Sequence, residues 1–174
     1  MSGPTAPDDP ANAAGLPPAA IFESRALDAL AARELFELLR LRVDVFVVEQ
    51  ACPYPELDDI DIHPGTRHVL GRVDGRLVAC ARTVPPASPA TPARIGRVAV
   101  HEDHRGGGLA RALMRWALAG LAREHPGHDV TLGAQVAVER FYGSLGFGRV
   151  SDEYLEDGIV HVDMTRRAFA RDSV

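Results

Sequence analysis

The residues best placed to do chemistry are three consecutive glycines, Gly106, Gly107 and Gly108, followed at once by Leu109-Ala-Arg-Ala-Leu-Met114. Glycines leave backbone N–H groups uncovered, and a helix starting there adds the positive end of its dipole, so the junction favours an anion. The chemistry so specified is phosphate binding. A Walker turn is excluded, because it needs a lysine and all 19 basic residues of this chain are arginine. The Gly-x-Gly-x-x-Gly dinucleotide pattern fails as well, since its third glycine falls on Arg111. Between Ala93 and Arg123, six arginines against Glu102 and Asp103 give a local charge of +4 in a chain of formal charge −5, leaving −9 for the remainder. So confined a basic patch suits a ligand with several phosphates. A nucleic-acid partner would call for a broad basic face. The acidic remainder is compatible with a cationic acceptor.

A second motif lies downstream, where Phe141-Tyr-Gly-Ser-Leu-Gly-Phe147 follows the β-like Asp129-Val-Thr-Leu-Gly133. Read alone, the glycine triplet serves equally as a sharp strand-to-helix turn. Taken together, Arg105-x-x-Gly108-x-Ala110 after Arg97-Val-Ala-Val100, then the Tyr142 motif, resemble the GNAT superfamily of acyl-CoA-dependent N-acetyltransferases. In that family the pyrophosphate turn reads Arg/Gln-x-x-Gly-x-Gly/Ala, and an aromatic tyrosine on a short helix precedes Gly-Phe. Leu41-Arg-Val-Asp-Val-Phe-Val-Val-Glu-Gln50, Cys52-Pro-Tyr54, Asp58-Asp-Ile-Asp61, His68, Arg82 and Glu153-Tyr-Leu-Glu-Asp-Gly-Ile-Val-His161 narrow the resemblance to the ElaA-like branch, over residues 21–166. Gln135 replaces the asparagine common in the superfamily yet fits this branch, and Val160 stands where the branch usually has proline.

The resemblance implies an acetyl-CoA-dependent N-acetyltransferase, with acetyl-CoA as co-substrate and no metal. Backbone groups of Val98, Ala99 and Val100 would pair with the pantetheine arm, with Gln135 nearby. Amides of Arg105, Gly106, Gly107, Gly108, Leu109, Ala110 and Arg111 would hold the pyrophosphate. Tyr142 would be the general acid: a phenol of pKa near 10 stays protonated at neutral pH and can donate to a departing thiolate. Its alternative role, like that of Phe141 and Phe147, is core packing. The acceptor amine must be neutral to attack, which costs about 4.6 kcal/mol at pH 7 for a lysine-like amine but only about 1.4 for an α-amine. Some family members carry a glutamate base on the strand before the turn, whereas Arg94 and Arg97 occupy the charged positions here. The base is therefore left to Glu49, Glu153, His161, His68 or a water. Arg42, Phe46, Gln50, His68, Arg82 and Arg97 are the residues expected at the acceptor; the three arginines serve alternatively as structural ion-pair partners, and His68, mid-strand beside Val69 and Leu70, reads by default as a satisfied histidine. Asp58, Asp59 and Asp61 read as a solvated loop rather than a metal site. Two rivals remain: an acyl-homoserine-lactone synthase of the same fold, and a non-catalytic acyl-CoA-binding module. The expected partners are a small-molecule or peptide amine, with no nucleic acid and no membrane; a homodimer is compatible.

The elements that must position these groups follow from patterning. At 174 residues and 46% apolar content a single core is expected. Residues 1–20, with five prolines, read as a loosely attached tail, as do 167–174, leaving 21–166 as the domain. Ile21 to Arg25 is a short strand, and Asp28 is expected to cap a helix carrying Leu35, Leu38, Leu39, Val43 and Phe46. Thr66 to Val73 and Arg76 to Val84 form a hairpin around Asp74-Gly75. Pro85 to Pro92 is a loop, Arg94 to Val100 a strand, and Leu109, Leu113, Ala117 and Leu121 line a helix ending near His125-Pro126-Gly127. A strand at Asp129 to Gly133, a helix from Val136 to Leu145, and strands at Phe147 to Val150 and Ile159 to Thr165 complete an α/β domain with a mixed, mostly antiparallel sheet flanked by helices. Cys52 and Cys80 lack metal spacing and read as space-filling thiols. No apolar run is long enough for a membrane span and no signal-peptide pattern opens the chain, so a cytoplasmic protein is expected.

Overall fold

The structure is a computed structural model that describes residues 20–168. The two expected tails therefore lie outside the described residues, except for Ala20, Arg167 and Ala168. Arg167 and the Ala168 amide are tied down by hydrogen bonds to Asp129 at 3.1 and 2.8 Å.

Eight strands form one sheet in the order β1 (Ile21–Arg25), β2 (Arg67–Val73), β3 (Arg76–Val84), β4 (Ala93–Val100), β5 (Val130–Gln135), β8 (Ile159–Arg166) and β6 (Gly148–Arg149), with β7 (Tyr154–Glu156) also on β8. Every pairing is antiparallel except β4 with β5. The mixed, mostly antiparallel sheet expected from patterning is thus present. Asp74 and Gly75 both take positive φ, 49° and 78°, as a two-residue hairpin turn between right-twisted strands requires.

Alternation along the strands sends side chains to two separate cores. On one face, Val69, Ala79, Ala81 and Ile95 meet α2 (Leu109–Glu124) through Leu109, Leu113, Met114, Ala117 and Leu121, which recur at helical spacing. On the other, Leu70, Cys80 and Ala99 meet α1 (Ala32–Arg42) through Leu38 and Leu41. Asp28 does not cap this helix: it sits inside a single 3-10 turn, Leu27–Ala29. The Ala31 amide is satisfied instead by the Glu34 carboxylate at 3.0 Å.

The expected helix over Val136 to Leu145 contracts to a 3-10 turn, Val136–Val138, and α3, Glu139–Gly143. The strand expected at Phe147 to Val150 contracts to β6, and β7 is an additional strand. Beyond α1, Val43–Glu49 winds as a π-helical segment, in which the chain is wider by one residue per turn.

Candidate active site

The glycine turn is built as an anion cradle. Gly106 and Gly108 have φ of 81° and 82°, a region costly for any residue with a Cβ. Gly108 sits at the N-cap of α2, where no side chain accepts from the first-turn amides, and the first helical bond runs from Ala112 to Gly108 at 3.0 Å. The amides of Leu109, Ala110 and Arg111 are therefore left by helix geometry without acceptors, at the positive end of a helix of 16 residues. Arg105 shapes the turn with its side chain: Nε donates to the Val100 carbonyl at 2.9 Å, and its two terminal nitrogens grip the Glu49 carboxylate at 2.7 Å each. Arg111 lies beside the turn with its guanidinium 5.9 Å from the Phe141 ring centre.

β4 runs into this turn with a bulge. Cys80 faces Ala99 while Arg82 faces Gly96, so β4 has one residue more than β3 between those pairs. The extra residue is absorbed at Arg97, whose φ is 51°. A non-glycine residue in that region costs about 1–3 kcal/mol and persists only where its surroundings hold it. What holds it is a closed ring of six charges. Arg42 Nε reaches Glu56 at 2.5 Å; Glu56 reaches Arg97 Nε at 2.9 Å; Arg97 reaches Asp58 at 3.2 Å. Asp58 binds Arg82 at 2.6 Å, Arg82 binds Asp61 at 2.7 Å, and Asp61 returns to Arg42 at 2.8 Å. Cation and anion alternate throughout, so the ring is neutral and each charge has two partners. Tyr54 adds a hydroxyl bond to Glu56 and offers its ring to Arg97. Burial opposes ionisation of Asp58 and Asp61, but the bonds from Arg82 and Arg42 outweigh it and hold both carboxyls below their ordinary range.

β4 and β5 pair only at Ala93–Val130 and Arg94–Thr131. Past that point they part, and a cleft of about 700 Å3 opens between them. It is lined by Ile95 to Val100, Arg105 and Ala110 on the side of the glycine turn, by Leu132, Gly133, Gln135 and Tyr142 across it, and by Tyr154, His161 and Asp163 at the far end. Tyr142 is 8% exposed, and its ring packs on Phe141 and Phe147 at 5.1 and 6.1 Å. Its hydroxyl has no hydrogen-bond partner among the described residues, and burial pushes its pKa up to about 12.

The structure brings some expected residues to the cleft and withdraws others. Val98, Ala99, Val100, Arg105, Ala110, Gln135, Tyr142, Glu49, His161, Phe46, Gln50, Arg82 and Arg97 line it, and Gln135 donates to Gln50 at 3.0 Å across it. Arg42, only 1% exposed, does not: its guanidinium is spent on Glu56 and Asp61, so the acceptor contact expected of it is replaced by ion pairing. His68, also 1% exposed, bonds the Asp61 carbonyl at 3.1 Å beneath the surface, and burial lowers its pKa. Glu153 faces solvent beside Arg149 at 3.4 Å rather than the cleft. Asp58 and Asp61, expected in a solvated loop, belong to the charge ring instead. Cys52 and Cys80 are both buried and free, and burial pushes the Cys80 thiol up to about 12. Among the described residues no group of His, Cys, Asp and Glu has the arrangement to hold a metal, and no helix is long and apolar enough to cross a membrane.

Sequence reasoning missed Glu56, Tyr54 and Tyr154 as members of the site. Tyr154 donates to Asp163 at 2.9 Å and stacks on His161 at 6.0 Å. The signal for its placement was available, since Asp157-Gly158 repeats the Asp-Gly dipeptide of the first hairpin and turns β7 into β8 with φ of 48° and 82°.

A sheet parted between two parallel strands, a β4 bulge and an uncapped glycine turn at the head of α2 define an acyltransferase of the acetyltransferase (GNAT) type. Residues 41–168 match the acetyltransferase (GNAT) domain family, and the chain belongs to that family. It is 42% identical over 137 residues to protein ElaA of Escherichia coli K12, covering 79% of this chain and 90% of that protein. The crystal structure of E. coli ElaA superposes with a TM-score of 0.80 at 38% identity, over 85% of this chain and 99% of that one. A crystal structure described as an acyl-CoA N-acyltransferase from Pseudomonas aeruginosa matches with the same TM-score, identity and coverage. A CoA-dependent acyl-homoserine lactone synthase shares the fold at 18% identity, with a TM-score of 0.71 over 87% of this chain and 84% of that one.

Proposed function

We propose that this chain is a cytoplasmic N-acetyltransferase that moves the acetyl group of acetyl-CoA to a small amine or a peptide amine by direct attack. The observation that carries the reading is the junction of an uncapped, glycine-shaped α2 start with a cleft lined by Tyr142, whose hydroxyl has no partner among the described residues. The amides from Gly106 to Arg111 would hold the pyrophosphate, and the exposed edge of β4 at Val98 to Val100 would pair with the pantetheine arm. Acetyl-CoA supplies an activated acyl carbon.

The amides around the Arg97 bulge are the donors nearest the parted edge of β4, and one of them would polarise the thioester carbonyl. Attack by the neutral amine forms the C–N bond, the C–S bond breaks, and Tyr142 donates its proton to the sulfur. Burial keeps that proton in place across physiological pH until the thiolate forms. The attacking nitrogen must lose a proton. Of the four side chains considered for that task only Glu49 and His161 line the cleft, and Arg105 holds Glu49 below the ordinary carboxylate range. His161 uses Nδ1 on the Ile159 carbonyl at 2.9 Å, so Nε2 is the atom that would receive the proton, directly or through water.

Thiol release from acetyl-CoA, followed across a panel of amines, peptides and aminoglycosides, tests the reading. Amine-dependent release with an acetylated product is expected. Stoichiometric coenzyme A binding with no release across the panel would point to a binding module, and release only with acyl donors and S-adenosylmethionine to a lactone synthase.

A further inference from the structure

The far end of the cleft carries a charge pattern that the donor does not use. Among its charged side chains, Glu49 is matched by Arg105, and Arg82 and Arg97 are matched within the ring of Glu56, Asp58 and Asp61. That leaves Arg94 against Glu156, Asp157 and Asp163, none of which has an ion-pair partner among the described residues. Three carboxylates thus face one guanidinium.

The geometry there is built rather than incidental. Asp163 pairs with Gly133 across β5 and β8, and Tyr154 pairs with His161 across β7 and β8. The Tyr154 hydroxyl crosses directly above Gly133, where a Cβ would come within 3.1 Å of it, and donates to Asp163 Oδ1 at 2.9 Å. One carboxylate oxygen is fixed by that bond, and Oδ2 remains free to accept. Independently of these acids, Tyr142, 8% exposed, lines the same cleft with a hydroxyl that has no partner among the described residues. A side chain so deeply set, with its hydroxyl left unmatched, marks a cleft where a ligand completes the bonding.

We infer that Asp163, positioned by Tyr154, with Glu156 and Asp157 beside it, forms an acceptor subsite that selects an amine carrying a second positive charge, as a diamine does. This rests on the acetyltransferase reading of the cleft. The far ammonium sits on Asp163 Oδ2 while the near nitrogen attacks the thioester, and the two charges repel, so the near nitrogen is the easier to deprotonate. A carboxylate at the far end of the acceptor would instead meet three like charges.

Three probes of equal chain length read the sign of the second group: cadaverine, pentylamine and δ-aminovalerate. Each is titrated calorimetrically into the coenzyme A complex and then assayed for thiol release from acetyl-CoA. The expected order is cadaverine, about tenfold tighter than pentylamine at low salt, then δ-aminovalerate. Asp163→Asn should bring cadaverine level with pentylamine; Glu156→Gln, on an exposed side chain, should narrow the gap and serves if the first variant does not fold. Equal or tighter binding of δ-aminovalerate, an undiminished preference in both variants, or no binding of any probe would overturn the inference. The preference in binding without thiol release would leave the subsite standing and remove the transferase reading instead.

Discussion

At the glycine turn the groups left without acceptors are backbone amides, and their aim depends on φ at Gly106 and Gly108. Before the turn, the shape of β4 depends on side chains instead: Arg42 from α1, Glu56, Asp58 and Asp61 from one loop, Arg82 from β3 and Arg97 from the bulge itself. The first device is local, spanning a few consecutive residues. The second gathers partners from Arg42 to Arg97 and works only when all six are present, because each charge buried by the fold needs its neighbours. One region is therefore robust to change outside a short segment, and the other should fail as a unit.

The largest effect that distinguishes them is expected for Arg42→Ala. It takes one of two partners from each of Glu56 and Asp61, both buried, at a cost of about 3–5 kcal/mol, so thermal melting should drop by on the order of 10 °C. A drop of a degree or two would show that the ring is not what holds β4. Next comes Tyr142→Phe, which removes only the hydroxyl: kcat should fall by about 10²-fold while coenzyme A affinity, read by calorimetry, stays put. Unchanged turnover would strip Tyr142 of its acid role.

Acid should find the ring before it finds the turn. Asp58 and Asp61 have folded-state pKa values below their unfolded ones, so their contribution is present above about pH 4 and is lost as pH falls through the folded values. Melting temperature followed from neutral pH down to about pH 3 should fall more steeply for the natural chain than for Asp58→Asn, which lacks one of the titrating groups. Parallel curves would place the acid sensitivity elsewhere. The smallest effect belongs to Glu49→Gln. Its pair with Arg105 is two-fifths exposed, so stability should move by less than about 1 kcal/mol, and less again in salt. Turnover should fall severalfold at most; a collapse in kcat with a lost acidic limb in the pH profile would make Glu49 the base after all.

The same contrast explains what could be read from the residues alone. Gly106 to Ala110 and Phe141 to Phe147 carry their meaning in consecutive positions, and β2 with β3 announces itself through Asp74-Gly75. The cleft-facing placement of Tyr142 follows from its motif. The ring does not announce itself: Arg42, Arg82 and Arg97 are each open to a structural or a ligand-binding role, and only pairing across the fold decides for Glu56, Asp58 and Asp61. His68 is open to a satisfied strand role or a cleft role until its neighbours show it bonded to the Asp61 carbonyl beneath the surface. Periodicity also fails at Val43–Glu49, because a π-helical segment shifts the face that an α-helix would present. The β7–β8 hairpin is different, since its Asp157-Gly158 signal was present and simply weaker, set between short strands.

The claim that a backbone cradle binds the donor is tested most directly by titrating coenzyme A and pantetheine into the natural chain and into Gly108→Ala. Forcing a Cβ into a φ of 82° costs about 1–2 kcal/mol and shifts the amides of the turn. Coenzyme A binding is expected to weaken about tenfold, while pantetheine, which carries no phosphate, binds both proteins alike. Equal coenzyme A affinity for the two proteins, or an equal loss for both ligands, would contradict it.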